Sequence, residues 1–416
     1  MRETETDYPP PEEWNAGLHE VVPPKLDDPP FRIGLKRVPH GEKKHPVLLV
    51  HGASASSRTF EVPEGGLARY LSKQWDVWML DWRSSGILSP LLIDDSSSRR
   101  VLEPERFNLD EAQDDLVCAL RHIAQETGYR TDIPVVGHCI GGALVAQTIA
   151  TGKAADLIGS IVLTTLGLFF NSGIDDWVKG NERFLEEVWW TLTQDRDKSE
   201  FFISPWVADA NYRHPWPKQL EDAYRLWKLT PLPHNCGNEF CHRACFMFGM
   251  PYRSADMMAI HDGRFPHGLW AQFGRMPLAT YMHCVQNLRR GWVAKWQGDD
   301  SDTSYLDPEP FRNRGITLIT GNENQVWHRD SIDRMYEWLR RELRPQPGLI
   351  VKKVFPHYGH QDLYWSSKAG EVYQVIGAGL KSTATSVRTV AVQLGSSTRH
   401  DATTDVERRG VPASTT

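Results

Sequence analysis

The chain predicts an α/β fold, a mostly parallel sheet with helices on both faces. Three features point there. Short apolar runs ending in glycine or polar residues recur along it, helical patterns lie between those runs, and PVVGHCIGGAL (residues 134–144) passes from strand to helix through a cluster of glycines.

The runs are HPVLLVHG (45–52), DVWMLDW (76–82), IPVVGHC (133–139), GSIVLTT (159–165), ITLITG (316–321) and LIVKKVF (349–355). Each has the length of a strand buried on both faces. Between them, Asn108 with Glu111 three residues on forms a capping-box pattern. Ala112, Leu116, Ala119, Leu120 and Ile123 follow at helical spacing. ALVAQTIATG after the glycines places Gly152 to end a helix. The alternation breaks between Thr165 and Gly315, an interval holding nine of the 16 tryptophans. There, WVKGNERFLEEVWWTL (177–192) carries an apolar stripe through Trp177, Phe184, Val188, Trp189 and Leu192.

These patterns divide the chain. Residues 1–30, dense in Pro, Asp and Glu, read as an extended or disordered arm. Residues 31–168 and 315–382 form the two parts of the core, and 169–314 a large, mainly helical cap inserted after the sixth strand of the fold. The Ser/Thr-rich 383–416 read as a flexible tail.

Composition narrows the function. With a net charge of −6 and no basic block, nothing favours nucleic acid. No apolar run reaches the length of a membrane span, and the acidic, proline-rich start lacks the apolar core of a secretory leader. Six cysteines in 416 residues are too few for a disulfide scaffold, so a reducing cytoplasm is the expected location. No Gly-x-Gly-x-x-Gly fingerprint appears, and no dinucleotide or flavin cofactor is expected. His234, Cys236, Cys241, His242 and Cys245 lack paired zinc-knuckle spacing and read as cap packing or substrate contacts, not as a metal site.

Gly137, Cys139 and Gly141 match a nucleophile elbow. Small flanking residues let strand and helix approach, and the central side chain is presented at the strand's carboxyl end above a helix N-terminus. Taken alone, the five residues fit a buried structural cysteine about as well. Context decides. His51-Gly52 follows a strand, so the backbone N–H of Ala53 and that of Ile140 can serve as oxyanion donors. Gly359-His360 follows the last strand, a loop position for a general base. The order nucleophile, acid, histidine is that of the α/β-hydrolase fold. At the acid position Asn324 stands where an aspartate is usual, with Glu323 beside it. A cysteine nucleophile tolerates this, because a thiolate–imidazolium pair needs only an orienting amide. Asn324 is favoured slightly over Glu323, with Asp330 and Asp362 as weaker candidates. Asp81 reads as structural, and His138 and His51 as positioning residues.

VWMLDWRSS (77–85), FNLDEAQDD (107–115), GHCIGG (137–142), CHRACFMFGMPY (241–252), IHDGRFPHGLWAQFG (260–274), GNEN (321–324) and HYGHQDLYW (357–365) extend the likeness. Together they resemble the α/β-hydrolase domain that accompanies cholesterol-oxidase-like oxidoreductases of the glucose–methanol–choline class. The elbow is more distantly similar to those of dienelactone hydrolases and polyhydroxyalkanoate synthases. The resemblance implies an acyl hydrolase or acyltransferase with Cys139 and His360 as the reactive pair. Its expected partner is a small hydrophobic acyl substrate (ester, lactone or thioester), with a carrier-protein-bound or oxidoreductase-linked donor also in view. A non-catalytic binding protein with a vestigial elbow is the other alternative.

Overall fold

Ile133–His138 becomes an interior strand of an eight-stranded sheet in the computed structural model. The structure describes residues 18–21, 33–38, 44–62, 66–85, 107–173, 200–202, 245, 248–252, 272 and 275–382. The strands are β1 (Leu18–Val21), β2 (Ile33–Arg37), β3 (Pro46–Val50), β4 (Asp76–Asp81), β5 (Ile133–His138) and β6 (Ile158–Thr164). Next come β7 (Glu200–Phe202) and β8 (Arg275–Pro277), which form a separate two-stranded sheet, and then β9 (Ile316–Gly321) and β10 (Ile350–Phe355). The large sheet runs β1-β2-β4-β3-β5-β6-β9-β10. It is parallel from β4 through β10, with β1 and β2 joined antiparallel at one edge. The expected extended arm therefore contributes one described piece, Leu18–Val21, as an edge strand.

Every residue of β3, β4, β5 and β9 is buried, as their unbroken apolar runs require. β10 departs from that expectation. Ile350 and Phe355 are buried at its ends, but Val351 is 40% exposed. The strand closes the sheet, and Lys352 and Lys353 within it are the charges that discourage further pairing at an edge.

Helix α1 (Gly66–Ser72) precedes β4. Asn108 caps α2 (Leu109–Thr127), its Oδ1 accepting from the N–H groups of Asp110 and Glu111, and Gly128 at φ 79° ends the helix. Helix α3 (Ile140–Ala150) leaves the elbow and is buried along its whole length. After it, Gly152 takes the left-handed conformation. Helices α4 (Leu278–Arg290), α5 (Asp330–Leu343), α6 (Asp362–Trp365) and α7 (Gly370–Leu380) complete the described set.

Strands β6 and β9 are hydrogen-bonded neighbours, so residues 165–315 leave the sheet and return beside their point of departure. The described parts of that interval are docked on the core. Phe170 N–H donates to Gly291 O, and Val293 N–H to Leu168 O. His283 joins α4 to the start of α2, accepting from Leu109 N–H at Nδ1 and donating from Nε2 to Ala294 O. Asp110 gathers Gln147 Nε2, Tyr305 Oη and Trp296 N–H. The stripe 177–192, Trp189, Trp190, Trp206, Trp216, Trp227 and Trp270 lie outside the described residues. So do His234, Cys236, Cys241, His242 and the tail 383–416. Cys245 is described and buried. Among the described residues, no helix is long and apolar enough to cross a membrane.

Candidate active site

The parallel sheet sets the place. Ala53, Cys139, Asn324 and His360 follow the carboxyl ends of β3, β5, β9 and β10, one rim of one sheet.

Cys139 occupies the elbow at φ 57°, ψ −130°, a conformation a residue with a side chain adopts only where its surroundings enforce it. The glycines enforce it. A Cβ on Gly137 would lie 2.7 Å from Gly142 Cα, one on Gly141 at 2.3 Å from His51 O, and one on Gly142 at 2.5 Å from Leu166 O. Helix α3 could not begin so close to β3 and β5 with any larger residue at these places. Gly52 is constrained from the other side, since a Cβ there would meet Cys139 Cβ at 2.6 Å and Sγ at 3.2 Å. The cysteine is 7% exposed.

Three N–H groups converge on its sulfur. Trp327 Nε1–H donates to Sγ at 3.3 Å, and the backbone N–H groups of Ile140 and Ala53 lie near enough to lower the thiol's pKa. Burial pushes that pKa up, and these three groups pull it back, Trp327 most. Both residues expected from the sequence as oxyanion donors thus bring their N–H groups to the Cys139 sulfur. Trp327 was not read from the sequence as a site residue. Its only signal was its place three residues after Asn324 in GNENQVW.

The histidine side is fixed by an elementary argument. Asn324 is 3% exposed, and one atom of its amide accepts from the N–H groups of Val326 (3.1 Å) and Trp327 (3.2 Å). Backbone N–H groups can only donate, so that atom is the oxygen. The same oxygen lies 3.2 Å from His360 Nδ1. Nδ1 therefore carries the proton, and Nε2 keeps the lone pair that a general base needs. Glu323 points elsewhere: its Oε1 lies 3.0 Å from His357 Nδ1 at the surface. Asp330 pairs with His328 and Asn171 at the start of α5, and Asp362 accepts from Gly359 N–H, steadying the histidine loop. Pro251 O accepts from Gln361 N–H in that loop, which gives the GMPY segment a role as its support.

Asp81, His51 and His138 are each held by buried polar contacts. Asp81 Oδ1 accepts from Ser57 N–H and Ser85 Oγ–H. His51 Nδ1 lies 2.7 Å from Gly52 O, and its Nε2 is 3.7 Å from Asp81 Oδ1. His138 bonds Thr164 Oγ1 at 2.9 Å and tilts against the His360 ring, centroids 4.8 Å apart.

Burial depresses the pKa of His360 to about 3. With the Cys139 thiol raised, both directions favour a neutral thiol and a neutral imidazole at rest. A standing thiolate–imidazolium pair, the simplest sequence expectation, is disfavoured because Asn324 brings no charge to hold the imidazolium. His51 and His138 are also lowered, chiefly by burial. A stability consequence follows with a definite sign. Folded pKa values below the unfolded value of about 6.5 mean that stability is complete above that pH and is lost as pH falls through it. Between pH 7 and 5 His360 alone is expected to cost about 2 kcal/mol, and the other two act in the same direction. Urea unfolding at a series of pH values checks this. An unfolding free energy constant from pH 7 to 5 would contradict it.

The geometry agrees with comparison to known proteins. A human protein named Lipase member K is 24% identical over 366 residues, covering 83% of each chain. Among solved structures, a highly thermostable carboxyl esterase from Bacillus coagulans, in complex with glycerol, superposes with a TM-score of 0.54 at 14% identity. It covers 88% of this chain and 99% of its own. A lipase in its open form gives 0.52, again at 14% identity, with the same two coverages. At such identities the two structures speak to the fold alone. The family model described as the alpha/beta hydrolase family matches residues 47–375, a span that begins in β3 and holds the elbow, the Asn324 loop and the His360 loop. By that match, the chain belongs to the alpha/beta hydrolase family.

Proposed function

We propose that the protein is an ester hydrolase of hydrophobic acyl substrates that works through a covalent Cys139 thioester. The observation that carries this reading is the convergence of the Ala53 and Ile140 N–H groups on a cysteine sulfur at the elbow, with His360 oriented by Asn324. The alpha/beta hydrolase family and the name of its relative, Lipase member K, support the substrate class.

In acylation Sγ attacks the ester carbonyl while His360 Nε2 takes the thiol proton. The carbonyl π electrons move to oxygen, which the two backbone N–H groups hold. The C–O bond then breaks, and the alcohol leaves with the proton from His360. In deacylation His360 draws a proton from water, whose oxygen attacks the thioester. The C–S bond breaks with its electron pair returning to Sγ, and His360 reprotonates the sulfur. A second reading, transfer of the acyl group to an acceptor other than water, including from a carrier-bound or oxidoreductase-linked donor, draws support from the burial of Cys139, which limits water at the thioester.

Intact mass after exposure to a panel of activated esters and thioesters tests the proposal. One acyl adduct per chain, absent in Cys139→Ala, is expected. An adduct of the same size in both proteins would place the nucleophile elsewhere. Release of the acyl group that requires an added alcohol or amine would favour the second reading.

A further inference from the structure

Trp327 has a place in the site that the triad and oxyanion description does not use. The residue is 8% exposed and held at three points. Its backbone N–H is bound by Asn324 Oδ1, its ring packs edge-on against Phe170 with centroids 5.0 Å apart, and its Nε1–H points at Cys139 Sγ from 3.3 Å. We infer that Trp327 is a further catalytic residue, whose indole N–H stabilises negative charge on the nucleophilic sulfur in the two steps where that charge develops. The inference rests on the reading of Cys139 as nucleophile.

The chemistry assigns it a task that the other donors cannot keep. Three N–H groups face the resting sulfur, but two of them, on Ala53 and Ile140, turn to the substrate's carbonyl oxygen once it carries charge. Trp327 is the donor left on the sulfur. During attack the S–H proton passes to His360 Nε2 and the electron pair on Sγ forms the S–C bond. An N–H donor lowers the cost of the thiolate character that precedes bonding. In deacylation the C–S bond breaks, its electron pair returns to Sγ, and the indole N–H again faces the charge until His360 returns the proton. A triad with a carboxylate stabilises this charge separation at the imidazolium end. Here the orienting residue is a neutral amide, and stabilisation at the sulfur end takes over that part. Asn324 thereby positions both partners of the sulfur, the His360 ring and the Trp327 indole, through a single oxygen.

The test removes the N–H while keeping the ring. Trp327→Phe is made by ordinary mutagenesis. A second variant carries 3-benzothienylalanine at position 327, with sulfur in place of the indole N–H and almost unchanged shape. Thiolate formation is read as the absorbance near 240 nm, and as the rate of iodoacetamide alkylation, against pH, with Cys139→Ala as the blank. Thiolate formation at a given pH should fall about tenfold in both variants, and kcat about ten- to hundredfold with a smaller change in KM. Parent-like titration and turnover in both variants would overturn the inference. So would a shift confined to Trp327→Phe, which would mean that ring packing, not the N–H, matters. The benzothienyl variant decides if Trp327→Phe does not fold. Failure of the nucleophile reading is separately visible as full activity in Cys139→Ala.

Discussion

Cys139→Ala is expected to lower turnover by about four orders of magnitude or more, the loss typical when a nucleophile acting with its base is removed. No other described side chain can replace it. The elbow admits one residue at its apex, and Gly137, Gly141 and Gly142 are packed against backbone at distances that exclude even a methyl group. Cys139→Ser is expected to be nearly as damaging, for another reason. A hydroxyl is far less acidic than a thiol, so attack needs more help from the imidazolium that forms, and Asn324 provides orientation without charge. Initial rates of both variants on the best ester substrate are the measurement. A Cys139→Ser enzyme as fast as the parent would refute the account of why sulfur stands here.

Asn324→Ala is expected to cost about one to two orders of magnitude in kcat, less than the full contribution of a general base because His360 remains and only its orientation is lost. It should also cost about 1–3 kcal/mol of stability for each buried donor left without an acceptor. Three donors depend on that one oxygen: His360 Nδ1–H and the N–H groups of Val326 and Trp327. Glu323→Gln should change the rate little, because Glu323 faces His357 with its side chain 37% exposed. Asn324→Asp keeps an acceptor for all three donors and removes the amide nitrogen, which has no hydrogen-bond partner among the described residues. It should therefore retain far more activity than Asn324→Ala. Kinetics of the three variants give the ranking, and a larger loss in Glu323→Gln than in Asn324→Ala would assign the triad to the glutamate.

Six strands of the large sheet, β3 to β6, β9 and β10, and the starts of α2 and α3 were legible along the chain because their causes are local, whereas the antiparallel edge pair β1 and β2 was not. Unbroken apolar runs can satisfy their backbone only in a covered parallel sheet, and Asn108 caps the helix that its own spacing announces. The β10 run resembles the others and so reads as buried on both faces. Only sheet order makes it an edge, which leaves Val351 in water and gives its two lysines their purpose.

The site divides in the same way. The elbow at Cys139, with Ala53 and Ile140 beside it, could be read because its geometry follows from residue sizes within a few positions. The choice between Asn324 and Glu323 could not be read in that way. Both lie in one turn after β9, and which of them meets His360 depends on how that loop crosses the end of β10. The resting charge state is also tertiary in origin. A helix N-terminus favours a thiolate, but burial of both Cys139 and His360, with an amide and not a carboxylate at His360 Nδ1, favours the neutral forms, and burial is a property of the whole packed molecule. Trp327 is the clearest case. Residue 327 is distant from residue 139 along the chain, and no pattern in either segment predicts a hydrogen bond between them. By itself the sequence determined the buried parallel strands and the elbow, because each is specified by side-chain size and polarity at short range. Tertiary structure alone decided which groups reach the sulfur and the imidazole, because hydrogen bonds extend only about 3 Å and depend on where separate loops are brought together.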